Sequence, residues 1–156
     1  MIQKENFMRL AEEQKENVID AMMQAKYKGF TSKAGVVIDV PAGYSVRAAT
    51  VLTCEEQHET VKKIFVILEE SNDFIDKFDI NTVMEWLDQL KQAKQLDPER
   101  DDFWLITTEK LTFEAYDIAR GNINIMDVDT FLEGAKKYYE KSRELRDILR
   151  HYQIIQ

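Results

Sequence analysis

The fold class depends on residues 53–68, with the sequence TCEEQHETVKKIFVIL. Thr53 and Glu56 match a capping box, in which two side chains satisfy the first free N–H groups of a helix. Four apolar residues follow at helical spacing and would share one helix face: Val61, Ile64, Phe65 and Leu68. The pattern therefore predicts an amphipathic helix over this stretch.

Two β-branched runs precede it and have the period of strands. They cover residues 36–40 and 45–52, and Pro41-Ala42-Gly43 separates them, with proline at a favoured turn position. We predict a β-hairpin over residues 36–52. An isolated hairpin is barely stable in water, so it must pack against helices or pair with another strand.

Helical spacing predicts four further helices: residues 3–27, a segment that begins at a second capping box of Thr82 and Glu85, residues 108–120, and a last helix capped by Asp127 or Asp129. Residues 103–106 fit either a strand or a buried connector. We therefore predict a mainly α fold, a single globular domain over residues 1–156 of about five helices with one β-hairpin at residues 36–52. The alternative is an α+β fold with a small antiparallel sheet.

The composition is that of an ordinary globular protein, with 44% hydrophobic and 32% charged residues. Glycine (5) and proline (2) are scarce, which favours helices over an all-β sandwich. The single cysteine cannot form an internal disulfide and fits a reducing compartment. The first residues do not resemble a signal peptide, and no apolar run is long enough to span a bilayer. We expect a cytoplasmic protein without a membrane segment.

The formal net charge of −8 is concentrated in the middle of the chain. Residues 55–129 contain 19 acidic and 8 basic residues. An acidic field repels nucleic acid and attracts basic partners, so we predict a protein partner with a basic surface. The alternative is that the excess acid serves solubility alone. The sequence leaves a homodimer open.

Eight residues in or beside this acidic segment form the predicted binding set. Within residues 69–102, 11 acidic residues face only 4 basic ones. A partly exposed tryptophan among carboxylates would anchor a partner, although a core position is the simpler interpretation for each tryptophan. The set is Asp73, Asp76, Asp79, Trp86, Asp88, Asp101, Asp102 and Trp104.

The sequence shows no complete catalytic or metal-binding set. Cys54 and His58 stand four residues apart and would share a helix face, so a small thiol-dependent enzyme is one alternative. The simpler interpretation is an apolar cysteine and a solvated histidine. Glu55 and His58 match half of the carboxylate–histidine pattern of di-iron bundles, and the second half is missing. We predict no catalytic residues, no metal and no cofactor.

The last predicted helix carries six basic residues that could contact phosphates: Lys136, Lys137, Lys141, Arg143, Arg146 and Arg150. Acidic residues are interleaved with them, which favours a partly neutralised solvent face. A nucleic-acid-binding module that uses this helix is the second alternative.

The absence of a catalytic set and the acidic middle segment together favour a non-enzymatic protein–protein interaction protein. Such a protein would be a small acidic adaptor, inhibitor or immunity-type protein that covers a basic partner surface. Its size and acidity would suit a protein from a phage or mobile element.

Overall fold

A five-stranded mixed sheet forms the centre of the computed structural model, which describes residues 2–155. The strands lie side by side in chain order: β1 (Thr31–Asp39), β2 (Ser45–Glu56), β3 (Glu59–Glu69), β4 (Asp102–Thr107) and β5 (Asn124–Asp127). The first three strands pair antiparallel, β4 runs parallel to β3, and β5 runs parallel to β4.

Helices cover both faces of this sheet. They are α1 (Lys4–Met8), α2 (Glu12–Lys26), α3 (Lys77–Gln92), α4 (Phe113–Ala119), α5 (Val128–Tyr139) and α6 (Arg143–His151). One core cluster joins α1, α2, α5 and α6 to one face, and a second cluster joins α3 and α4 to the other. The described chain therefore has three layers, with the sheet between two helical layers.

The prediction of a mainly α fold is wrong, because residues 53–68 are strands. Gln57 and His58 have φ angles of 52° and 68° and form a two-residue turn between β2 and β3. Positive φ at both positions is typical of a type I′ hairpin. The α+β alternative was nearer, but its small antiparallel sheet is in fact a five-stranded mixed one.

The run from Ile64 to Leu68 explains this error. Ile64 and Val66 contribute to the core on the α2 side, while Phe65 and Ile67 contribute to the core on the α3 side. A strand buried on both faces is apolar at every position, so it lacks the alternation that distinguishes strands from helices. Only the second layer of helices makes such a strand stable.

The β-hairpin predicted over residues 36–52 is present and is longer than expected. Its strands pair from Thr31 with Thr53 to Asp39 with Ser45. The turn contains Gly43 with a φ of 93°, a conformation that glycine adopts without steric cost. Residues 103–106, whose sequence fits either a strand or a connector, lie within β4.

Several predicted helix boundaries also change. Residues 3–27 form two helices instead of one, and Ser142 divides the last predicted helix by capping α6. The box at Thr82 and Glu85 does not begin a helix, since α3 already starts at Lys77. Asp127 does cap α5, and its carboxylate accepts the Thr130 N–H at 2.7 Å. Over residues 2–155, no helix is long and apolar enough to cross a membrane.

Candidate aromatic binding surface

The loops that follow β3 and β4 lie together at one edge of the sheet. The Ile75 N–H donates to the Lys110 carbonyl oxygen at 2.9 Å, and the Thr112 N–H donates to the Ile75 carbonyl oxygen at 2.9 Å. The Ser71 N–H donates to the Thr108 hydroxyl oxygen at 2.9 Å. These bonds hold the loops together just outside the carboxyl ends of parallel strands, where open α/β sheets generally bind ligands.

Four large aromatic side chains on this edge are exposed to solvent. The exposed fractions are 59% for Phe74, 69% for Phe78, 81% for Phe113 and 54% for Tyr116. A group of exposed aromatic residues is unusual on a monomer and generally marks an interaction site. We call the surface formed by residues 73–79 and 109–117 the aromatic face.

Two adjoining grooves lie on either side of Phe113. The larger has a volume of about 580 Å³ and the smaller about 360 Å³, and both are lined by Thr112 and Phe113. The larger groove is lined by the apolar Leu111, Ile125 and Met126, by Tyr116, and by the charged Lys110 and Asp127. The smaller is bounded by Asp76, Lys77, Phe78 and Glu114. Both grooves are mainly apolar, and charged side chains border each of them.

The aromatic face carries net negative charge. Its two segments contain six carboxylates and two lysines, which leaves a net charge of −4. Lys77 lies 3.6 Å from the Glu114 carboxylate and 5.3 Å from the centre of the Phe78 ring. Partial burial at the end of β3, together with the nearby charge of Asp79, raises the pKa of Glu69. The ionised form of Glu69 is therefore disfavoured in the folded protein, chiefly by burial.

Three residues of the predicted binding set lie on the aromatic face, and two of them have structural roles. The Asp76 carboxylate accepts the N–H groups of Phe78 and Asp79 at 3.0 Å each. Asp79 in return accepts the Asp76 N–H at 3.0 Å, so these aspartates form the capping box of α3. Asp73 accepts the N–H of Phe74 at 2.7 Å.

The other five predicted binding residues lie elsewhere. Asp101 and Asp102 stand at the opposite end of β4, where Asp101 is 8% exposed and Asp102 pairs with Lys62 at 2.9 Å. Trp86 and Trp104 are half-buried against different cores, and Asp88 is exposed on α3. The structure therefore does not bring the eight residues into one site. Their role in binding stays a prediction.

Sequence reasoning missed Phe113 and Tyr116, the most informative residues of this surface. The two aromatics stand three residues apart on α4, a spacing equally typical of a core stripe. The one available signal was their acidic surroundings, Glu114 and Asp117. Exposure, which distinguishes an anchor from a core residue, is a property of the tertiary structure.

A second polar cluster lies between α2 and the sheet. Lys15, whose side chain is 8% exposed, pairs with Glu70. Glu16 accepts two hydrogen bonds from Arg47, at 2.7 and 2.8 Å, and the Thr50 hydroxyl donates to the Asp20 carboxylate at 2.7 Å. Each named charge of the cluster has a partner, so the cluster fastens the helix to the sheet.

Across residues 2–155, no group of three or more His, Cys, Asp or Glu side chains could hold a metal ion.

The structure removes the geometry that suggested a thiol-dependent enzyme. Cys54 lies on β2 opposite Lys62, and His58 lies in the turn after it, so the two do not share a helix face.

Among the basic residues of the last predicted helix, Arg146 donates to the carbonyl oxygens of Tyr139 and Glu140, and Arg150 donates to the Tyr139 hydroxyl oxygen. These two guanidinium groups are engaged within the protein.

Comparison with known proteins shows a similarity in fold alone. No protein-family model matches the chain, and no curated protein matches it. One solved structure superposes with a TM-score of 0.57 at 12% sequence identity and covers 92% of this chain and 97% of its own: the crystal structure of a protein of unknown function, AF1548. This likeness shows the fold alone.

Proposed function

We propose that this protein is a non-enzymatic interaction protein that covers a basic surface of a protein partner with its aromatic face. It would act as an adaptor, an inhibitor or an immunity-type protein. The single cysteine, Cys54, fits a reducing compartment and supports the cytoplasm as the place of action.

The observation that carries this proposal is the position of the exposed aromatic residues. Phe78 and Phe113 together line the smaller groove, and Phe113 and Tyr116 together line the larger one. Aromatic anchors in grooves supply most of the binding energy at protein interfaces. The surrounding carboxylates would steer a basic partner toward them and disfavour phosphate-bearing ligands.

The proposal is tested by capturing proteins from a lysate of the source organism on the immobilised chain. The bait variant Phe78→Ser/Phe113→Ser removes two exposed rings without touching either core. We expect it to lose the protein that the unmodified chain retains, and we expect that protein to elute as salt is raised, since the attraction is partly electrostatic.

The matched control is Val37→Ser/Val61→Ser, which removes the two exposed aliphatic side chains that lie on strands β1 and β3. The control should retain the captured protein. Equal capture by all three baits would contradict a role of the aromatic face in binding. Retention of nucleic acid instead of protein would favour the module that uses the last helices.

A further inference from the structure

The two grooves indicate what shape of partner the aromatic face accepts. Because Thr112 and Phe113 line both grooves, the grooves adjoin, and a bound segment that crosses Phe113 reaches each of them. Adjoining grooves that receive alternate side chains are the usual geometry for recognition of an extended or helical peptide. A flat complementary surface would leave the larger groove unfilled.

The larger groove suits an apolar side chain. Leu111, Ile125 and Met126 line it together with the exposed residues Phe113 and Tyr116. Burying an apolar side chain there would remove apolar surface from water on both partners, which is the main favourable term in association.

Two acidic side chains beside the smaller groove would attract a basic side chain to that position. Asp76 and Glu114 bound this groove, and Lys77, the lysine beside them, already lies 3.6 Å from Glu114. Asp73 and Asp117 add further negative charge on the same face. A second copy of this chain would bring a net −4 against the same charge, so charge complementarity favours a basic partner over self-association.

We propose that the aromatic face binds a linear basic segment of a partner protein, with a large apolar side chain in the larger groove and a lysine or arginine beside the smaller one. This inference rests on the proposed function and narrows the partner from a basic surface to one peptide segment.

Selection of random short peptides displayed on phage against the intact chain tests the inference. Enriched peptides should carry net positive charge and at least one large apolar residue. Measured by fluorescence anisotropy, their affinity should fall by about tenfold or more with Phe113→Ser and, separately, with Glu114→Lys. Val37→Ser, at an exposed apolar position on β1, should bind them as the unmodified chain does.

Three results would overturn the inference: no enriched peptide, enriched peptides that are acidic or uncharged, or peptides whose affinity is unchanged by Phe113→Ser. If no peptide is enriched while lysate capture still depends on Phe78 and Phe113, the partner presents a folded surface, and the proposed function stands without the inference. A concentration-dependent dimer that Phe113→Ser dissociates would replace the peptide with a second copy of the chain.

Discussion

Asp76 and Asp79 cap the first turn of α3 reciprocally, each carboxylate accepting the backbone N–H of the other residue at 3.0 Å. The first N–H groups of a helix have no partner within the helix, so such bonds stabilise its start. Both aspartates belong to the acidic stretch that the sequence assigned to binding. Their geometry shows that charge reversal at these two positions would alter the fold of the loop as well as its charge.

Replacement of the cap should therefore cost stability. We expect Asp76→Ala to lower the free energy of unfolding by about 1 kcal/mol in urea titrations, because the N–H groups of Phe78 and Asp79 lose their acceptor. Asp88→Ala is the matched control, since Asp88 is exposed on the same helix and its ion pair with Lys91, at 4.0 Å, is long. The control should change stability by less than about 0.5 kcal/mol. Equal midpoints for both variants would contradict the cap.

The turn at Gln57 and His58 distinguishes a hairpin from a helix. Both residues adopt positive φ, which costs a side-chain-bearing residue energy and which Asn-Gly accepts readily. We expect Gln57→Asn/His58→Gly to raise the free energy of unfolding by about 1 kcal/mol. In a helix over residues 53–68, the same pair would be destabilising. A lower thermal midpoint in calorimetry would therefore contradict the strand assignment.

Glu69 and Glu70 are neighbours in sequence, but their substitution should change the thermal midpoint in opposite directions. Burial, with the charge of Asp79, raises the pKa of Glu69, so its ionised form destabilises the folded state. The penalty is absent below the ordinary glutamate pKa of about 4.3 and complete above the raised folded value. Glu69→Gln should raise the thermal midpoint at pH 7, and the gain should disappear in acid.

Glu70→Gln is the matched comparison. It leaves the buried ammonium of Lys15 without its charged partner, so the midpoint at neutral pH should fall. Thermal melts of both variants across the acid range test the pair. A destabilising effect of Glu69→Gln at pH 7 would show that its carboxylate is favourably held.

The effect of Asp101 on stability should depend on pH in the opposite sense to that of Glu69. Burial alone would raise its pKa, but hydrogen bonds from Arg100 and from the N–H groups of Asp97 and Lys63 outweigh burial and lower the pKa. Its contribution to stability is therefore present above the ordinary aspartate pKa of about 3.9 and is lost as pH falls through the lowered folded value.

Asp101→Asn should cost about 2–3 kcal/mol at neutral pH, because hydrogen bonds to a charged group are lost in a buried position. The unfolding free energies of the variant and the unmodified chain should converge in acid, where the native carboxyl is also neutral. Asp102→Asn, at the half-buried neighbour paired with Lys62, should cost less. A constant difference across the acid range would contradict ionisation as the cause.

The sequence by itself determined the local features that short-range chemistry dictates. Pro41 and Gly43 between two β-branched runs predicted the hairpin. An aspartate before an apolar stripe predicted a helix cap at Asp127 or Asp129, and the cap is Asp127. These features depend on a residue and its immediate neighbours. The net negative charge around residues 73–79 was also readable without a structure.

Only the tertiary structure decided the rest. Ile64 to Leu68 become a central strand because helices cover both faces of the sheet, a condition absent from local spacing. Trp104 packs half-buried against the core and Phe113 is 81% exposed, although both are large aromatic residues beside acidic ones. Whether an aromatic residue stabilises a fold or binds a partner depends on what packs against it, and long-range packing determines that.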